Sequence, residues 1–288
     1  PQKCGAFCIC HWRIAVCCGI LEPGKQQHRR CFFIMVQVDL ITGFLGAGKT
    51  TFLRRYVRYL VAQGHNVCIL ENDFGAVNVD AMLVQDLLGP NCDLETISGG
   101  CDCDTHQRRM RTKLIAMAMR GFDRVVVEPS GIFDVDEFFD VLRDDPLDRW
   151  YQLGNVIAIV DALLPEQLSP QADYVLASEC ANAGLVLLSR SQLAKPGQCE
   201  AAVAHLKRAL TACKCSRVFQ PEEILAKDWA ALTEADMARI ARCGMRQASC
   251  EKLHFEEHEA FSSAYFLELG LPRTRLERNI PGLFTDPA

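Results

Sequence analysis

Apolar and polar residues follow two rhythms along this chain, and the rhythms take turns. Short runs rich in Val, Ile and Leu occupy residues 36–41, 66–70, 124–127, 155–160 and 185–188. Their length and β-branched content are those of buried strands. Between them lie amphipathic stretches at helical spacing, about 49–63, 80–88, 105–120, 135–143, 172–182 and 198–210. Gly64 and Gly121 stand where the first and third of these should stop, in the position a left-handed helix end favours. Residues 91–97 read as extended, and a further short strand is expected near 217–219. Strands alternating with helices predict an α/β fold with a doubly wound, mostly parallel sheet.

Both ends break the rhythm. Six cysteines fall in the first 31 residues, where the pattern is neither helical nor alternating, and Met35 stands immediately before the first strand. Residues 1–34 are therefore expected to be a non-native or disordered extension, with the protein proper starting at Met35. Residues 35–220 form the expected main domain. Beyond it, 221–243 reads as helical, 254–269 as one or two strands or an amphipathic segment, and 271–288, with three prolines, as a loosely ordered tail. That makes 221–288 a short C-terminal α+β extension.

The turn after the first strand changes the picture. Gly43-Phe44-Leu45-Gly46-Ala47-Gly48-Lys49-Thr50 satisfies G-x-x-x-x-G-K-[ST] at every fixed position, and Thr51 follows. Glycines let successive N–H groups curl around a phosphate, and the helix starting near Lys49 turns its positive end to the same anion. In such a loop Lys49 reaches the β/γ-phosphates and the Thr50 hydroxyl holds Mg²⁺. The fold is then that of a P-loop NTPase.

Other strand tips carry carboxylates. Glu128 ends the run 125–127, and Gly131 lies three residues on, suited to a Mg²⁺-holding and γ-phosphate-sensing loop. An ordinary turn at Pro129 is the plainer alternative. Asp161 ends the run 156–160, where it serves equally as a helix N-cap or a nucleotide contact. Glu71 and Asp73, followed by Gly75, suggest a switch loop after the second strand, or a solvated acidic loop. Cys101 and Cys103 present two thiols from one loop, with Asp104 and His106 near. They can be buried thiols or Zn²⁺ ligands, and Arg108, Arg109, Arg111 and Lys113 would favour thiolates. The ten cysteines after Met35 are read mostly as buried apolar thiols. His254, Glu256, Glu257 and His258 do not match a zincin order and read as a solvated polar face. After the run 185–188, Ser189, Arg190 and Gln192 stand where GTPases place the Asn, Lys and Asp of their base-reading turn. A Gln oxygen accepts without the charge that strengthens the bond to guanine.

The net charge of −5 argues against general nucleic-acid binding, and no apolar stretch is long enough to span a bilayer.

Taken in order, GFLGAGKTT, ENDFG, GGCDC and EPSG resemble the CobW-like family of P-loop GTPases of metallochaperone type. The resemblance covers about 35–220, and 257–263 is similar to the start of that family's C-terminal domain, shortened here. It implies a cytoplasmic GTPase with GTP and Mg²⁺, coupled to binding and delivery of Zn²⁺ or another transition metal to a client metalloprotein. It assigns phosphates and Mg²⁺ to Gly46, Gly48, Lys49, Thr50 and Thr51, and the E-x-x-G element to Glu128 and Gly131. The metal motif falls on Gly99, Gly100, Cys101 and Cys103, with Asp104 where the family has a last Cys. Nucleotide, client and a possible homodimer are the partners to expect. A small-molecule kinase using ATP and a nucleotide-binding switch with little turnover are the rival readings.

Overall fold

The computed structural model describes residues 8–10, 13–15, 35–73, 79–98, 103–129 and 135–250. Seven strands form one sheet in the order β5-β4-β6-β3-β7-β8-β9, and every pairing in it is parallel. The strands are β3 (Val36–Thr42), β4 (Val67–Asp73), β5 (Cys92–Ser98), β6 (Arg124–Glu128), β7 (Tyr151–Asp161), β8 (Leu185–Ser189) and β9 (Ile224–Leu225). From β3 the chain winds outward to β5, returns through β6 to β3's side, and then winds the other way. The expected doubly wound sheet is present, and it is wholly parallel.

The two faces are sorted by strand parity. Val36, Val38 and Leu40 of β3, with Val156, Ala158 and Val160 of β7, face one apolar cluster, while Ile41, Ile157 and Ile159 face the other. The period of two in each strand places alternate side chains in each layer. Helices α3 (Cys103–Arg120), α4 (Val135–Arg143), α5 (Leu147–Trp150), α6 (Pro170–Ala181) and α7 (Gln198–Ala212) contribute to the first cluster. Helices α1 (Lys49–Ala62), α2 (Val79–Val84) and α8 (Glu234–Ile240) contribute to the second. In α1, Phe52, Leu53, Tyr56, Val57 and Leu60 are fully buried along one stripe. Each such side chain stabilises the fold by roughly 1.5–3 kcal/mol. Gly64, at φ 87°, ends this helix as expected.

A polar network lies inside the α1 face. Asp39, fully buried on β3, accepts from Tyr56 (2.7 Å) and Arg124 (2.6 Å) on one oxygen, and from the Asn155 N–H and amide (2.8 and 2.9 Å) on the other. Asn155 in turn donates to the Ala241 carbonyl and accepts from the Gly244 N–H. This network fixes β3, β6, β7, α1 and the end of α8 to one another.

Several boundaries differ from expectation. The last strand is β9 at Ile224–Leu225, paired to Val186 and Leu187, and residues 217–219 form no strand. Arg217 instead spends its side chain on the Ala183 carbonyl and Glu223. Residues 221–243 are not one helix: two short 3₁₀ turns flank β9, and only α8 is α-helical. Pro221 and the capping motifs at Gln220 and Thr233 restart the chain each time. Helix α3 begins at Cys103, two residues early, so the second thiol position lies in a helix's first turn. Cys68, Cys92, Cys180 and Cys213 are buried thiols, as expected, but Cys215 and Cys250 are bridged. Within the expected N-terminal extension, strands β1 (Cys8–Cys10) and β2 (Arg13–Ala15) pair antiparallel. The chain divides into units 1–254 and 255–288, and the second, with His254 to His258, lies outside the described residues.

Candidate functional site

The tips of β3, β6, β7 and β8 meet around the loop 43–48. That loop is held by its own backbone: the Ala47 N–H donates to the Phe44 carbonyl at 3.0 Å. Gly43 has φ +136°, and a Cβ there would stand 2.3 Å from the Ile159 carbonyl of β7. Only glycine fits that seam. Gly46 (φ +74°) is exposed, Gly48 (φ +101°) is the N-cap of α1, and Ala47 is buried. Lys49 is 7% exposed and bends back to donate to the carbonyls of Gly43 (2.7 Å) and Phe44 (3.2 Å). A cation folded over a cradle of backbone donors is an anion-binding arrangement.

A carboxylate stands beside the loop. Thr50 donates through Oγ1 to Glu128 Oε1 at 2.7 Å, which joins the first turn of α1 to the tip of β6. Glu128 is 6% exposed. A hydroxyl and a carboxylate in contact, both hard oxygen donors, suit Mg²⁺ with its remaining positions left to phosphate and water. Thr51 is exposed beside them. Glu71, buried near the end of β4, is the register partner of Glu128 across the β4–β6 pair, so the two carboxylates rise from one face of the sheet.

On the other side, Asp161 ends β7 as register partner of Ser189. Its Oδ1 accepts from the Leu163 N–H at 2.9 Å and its Oδ2 pairs with Arg190. Asp161 therefore caps its own turn and anchors Arg190 at once. Arg190, at φ 54°, also donates to the Gly46 carbonyl at 2.6 Å, which ties the turn after β8 to the phosphate loop. Gln192 lies exposed in the next 3₁₀ turn. Glycine 131, Cys101 and the side chains of Asp73, Cys103 and Asp104 lie outside the described residues. Among the described residues no group of three His, Cys, Asp or Glu is arranged to hold a metal ion.

Two site residues escape sequence reasoning. Trp229, in the turn after β9, lays its ring 3.4 Å from where a Cβ on Gly48 would be, and stacks edge-on to Phe52 at 5.5 Å. Its Nε1 and the Ser189 Oγ are buried with no hydrogen-bond partner among the described residues. A lone Trp close behind an edge strand was the available signal. The other is Glu179 of α6, 2% exposed. Burial pushes its carboxyl up to about 8, against the pull of the Lys49 charge and the Gly43 N–H. Its place in an apolar helix face, among Val175, Leu176 and Cys180, was the signal there.

Residues 37–218 match the family model for the CobW/HypB/UreG nucleotide-binding domain. The chain is 31% identical over 169 residues to the zinc chaperone YjiA of Escherichia coli, covering 55% of this chain and 50% of that protein. It is 28% identical over 165 residues to the zinc chaperone YeiR of the same organism, covering 56% and 48%. The chain thus spans about half the length of the curated relatives it matches. A solved structure of Zn(II)-bound YjiA GTPase from E. coli aligns over 86% of this chain and 77% of that one, with 20% identity and a TM-score of 0.39.

Proposed function

The chain belongs to the CobW/HypB/UreG nucleotide-binding family, and from that premise we propose that it binds and hydrolyses GTP and couples turnover to delivery of a transition metal. The observation that carries the reading is the joined set of Lys49, Thr50 and Glu128 at the mouth of the 43–48 loop. In the proposed cycle the N–H groups of Gly46 to Thr51 surround the phosphates. Lys49 exchanges its two carbonyl partners for β/γ-phosphate oxygens and follows the charge that grows there in the transition state. Thr50 and Glu128 would hold Mg²⁺, which when bound supplies a further positive charge to the β/γ oxygens. Glu128 and the Gly131 backbone would sense the γ-phosphate. Zn²⁺ or a similar ion is the cargo, with Cys101, Cys103, Asp104, Glu71 and Asp73 as its proposed ligands. The two relatives named as zinc chaperones support that cargo.

Base recognition would involve the turn carrying Ser189, Arg190 and Gln192. The buried Ser189 hydroxyl and Trp229 indole N–H support this end of the loop as the base side, because both lack partners among the described residues. The client is a metalloprotein receiving the ion, and a second copy of this chain is a further proposed partner.

Phosphate release measured with GTP and with ATP, with and without added Zn²⁺, tests the reading. Faster turnover of GTP is expected. Equal Zn²⁺ affinity with GDP and with a non-hydrolysable GTP analogue would sink the coupling.

A further inference from the structure

The phosphate loop rests on two layers, and only one of them is used by the chemistry above. On the α1 face stand Thr50 and Glu128. On the opposite face α6 runs directly beneath the start of the loop: Thr42, the last residue of β3, donates its hydroxyl to the Glu179 backbone carbonyl at 2.7 Å. That bond fixes the Glu179 side chain under Gly43. The side chain is 2% exposed, and neither carboxyl oxygen makes a hydrogen bond of ordinary length among the described residues. The groups facing it are the Gly43 N–H and the Lys49 charge from the loop side, and the buried Cys180 thiol from its own helix. A carboxyl this deeply enclosed is a costly feature unless something uses it.

We propose that Glu179 is a positioning residue that works as a neutral acid under the phosphate loop, so that nucleotide binding is coupled to its protonation. This rests on the nucleotide-binding reading of the same loop. Lys49 is the only cation that faces Glu179 among the described residues, and it is also the cation the phosphates need. A carboxylate at 179 would compete with the phosphates for Lys49 and repel them across a medium of low dielectric. The neutral acid avoids both effects. Its carbonyl oxygen still faces the Gly43 N–H, while the charge of Lys49 is left to the nucleotide. Burial already holds the proton on up to about pH 8, and the arriving anion holds it further. Above that pH the free protein has lost the proton, and binding must take one up from solvent.

GDP is the suitable probe, because it carries no γ-phosphate for Lys49 to follow. In the natural chain, the GDP dissociation constant measured by calorimetry should rise by up to about tenfold per pH unit above pH ~8. Glu179→Gln keeps an oxygen for Gly43 and removes the proton, so its slope should be lost. Glu179→Ala should weaken GDP at every pH, since the loop loses its support. An equal slope in natural chain and E179Q overturns the proposal. Should E179Q fail to fold, the natural chain decides alone. At pH 8.5, titrations in two buffers of different ionisation enthalpy should report net proton uptake on binding GDP, and zero uptake overturns the coupling. Absence of GDP binding at pH 7 overturns the nucleotide reading and this proposal together.

Discussion

Two buried carboxyl groups flank the same strand, and they have been treated in opposite ways. Asp39, on the α1 face of β3, meets four hydrogen-bond donors within 3.0 Å and an opposite charge. Glu179, on the α6 face at the strand's end, meets the edge of a glycine loop and a lysine proposed to serve the phosphates. The first site is complete in the protein alone. The second would gain its purpose under the proposal only with an anion in the loop, and the Ser189 and Trp229 polar atoms, without hydrogen-bond partners among the described residues, only with a base beside it. A fully paired buried group holds a fold together, while an underpaired one marks where a ligand completes the structure.

That contrast can be broken. Asp39→Ala leaves the Arg124 guanidinium buried without its partner and should cost about 3–5 kcal/mol of stability, read from denaturant midpoints. GDP affinity of the folded fraction should be unchanged. Lys49→Ala should do the reverse, lowering GTP turnover by roughly 10²–10³-fold with little change in melting temperature. If the lysine variant unfolds instead, Lys49 is part of the frame and the contrast fails.

Glu179 sharpens the comparison through pH. Its folded pKa lies above that of an exposed carboxyl. Between the two values the native state binds more protons than the unfolded one, so stability falls as pH rises through that window. The loss is roughly 1.4 kcal/mol per pH unit at most, and it levels off above about pH 8. Glu179→Gln should remove this slope, visible as melting curves that stay closer together from pH 5 to pH 8. The smallest effect belongs to Arg190→Ala. Its pair with Asp161 is partly exposed and worth under about 1 kcal/mol. The change should therefore appear in nucleotide off-rate, through the lost tie to Gly46, more than in stability.

Much of this was readable from residues alone, because strand parity and turn chemistry are local. The 43–50 loop, the tips at Glu128 and Asp161 and the alternation of layers follow from spacing and from glycine's freedom at Gly43 and Gly48. Asp39 was visible within its apolar run, but its partners were not: Arg124, Tyr56 and Asn155 come from three other elements, and only the assembled sheet collects them. Glu179 and Trp229 were missed for the same reason. Each touches the loop from more than 100 residues away, and nothing in a helical or 3₁₀ neighbourhood announces such a contact. The edge at residues 217–225 was misread because Arg217 and Phe219 have strand-like character but are held by a cation–π contact, 4.2 Å from guanidinium to ring, and by Arg217's side-chain bonds. The stretch 221–243 misled because helix-forming residues were counted without the caps that interrupt them.

The shared register of Glu71 and Glu128 has a mechanical consequence. Adjacent strands of a parallel ladder stand about 4.8 Å apart and cannot slide past one another without breaking the hydrogen bonds between them. The proposed nucleotide end and the proposed cargo end would then be separated by a single stiff rung. Such a rung works as a fixed axle: whatever opens or closes between the two states must be the loops hinged on either side of it, each moving against a span that keeps its length.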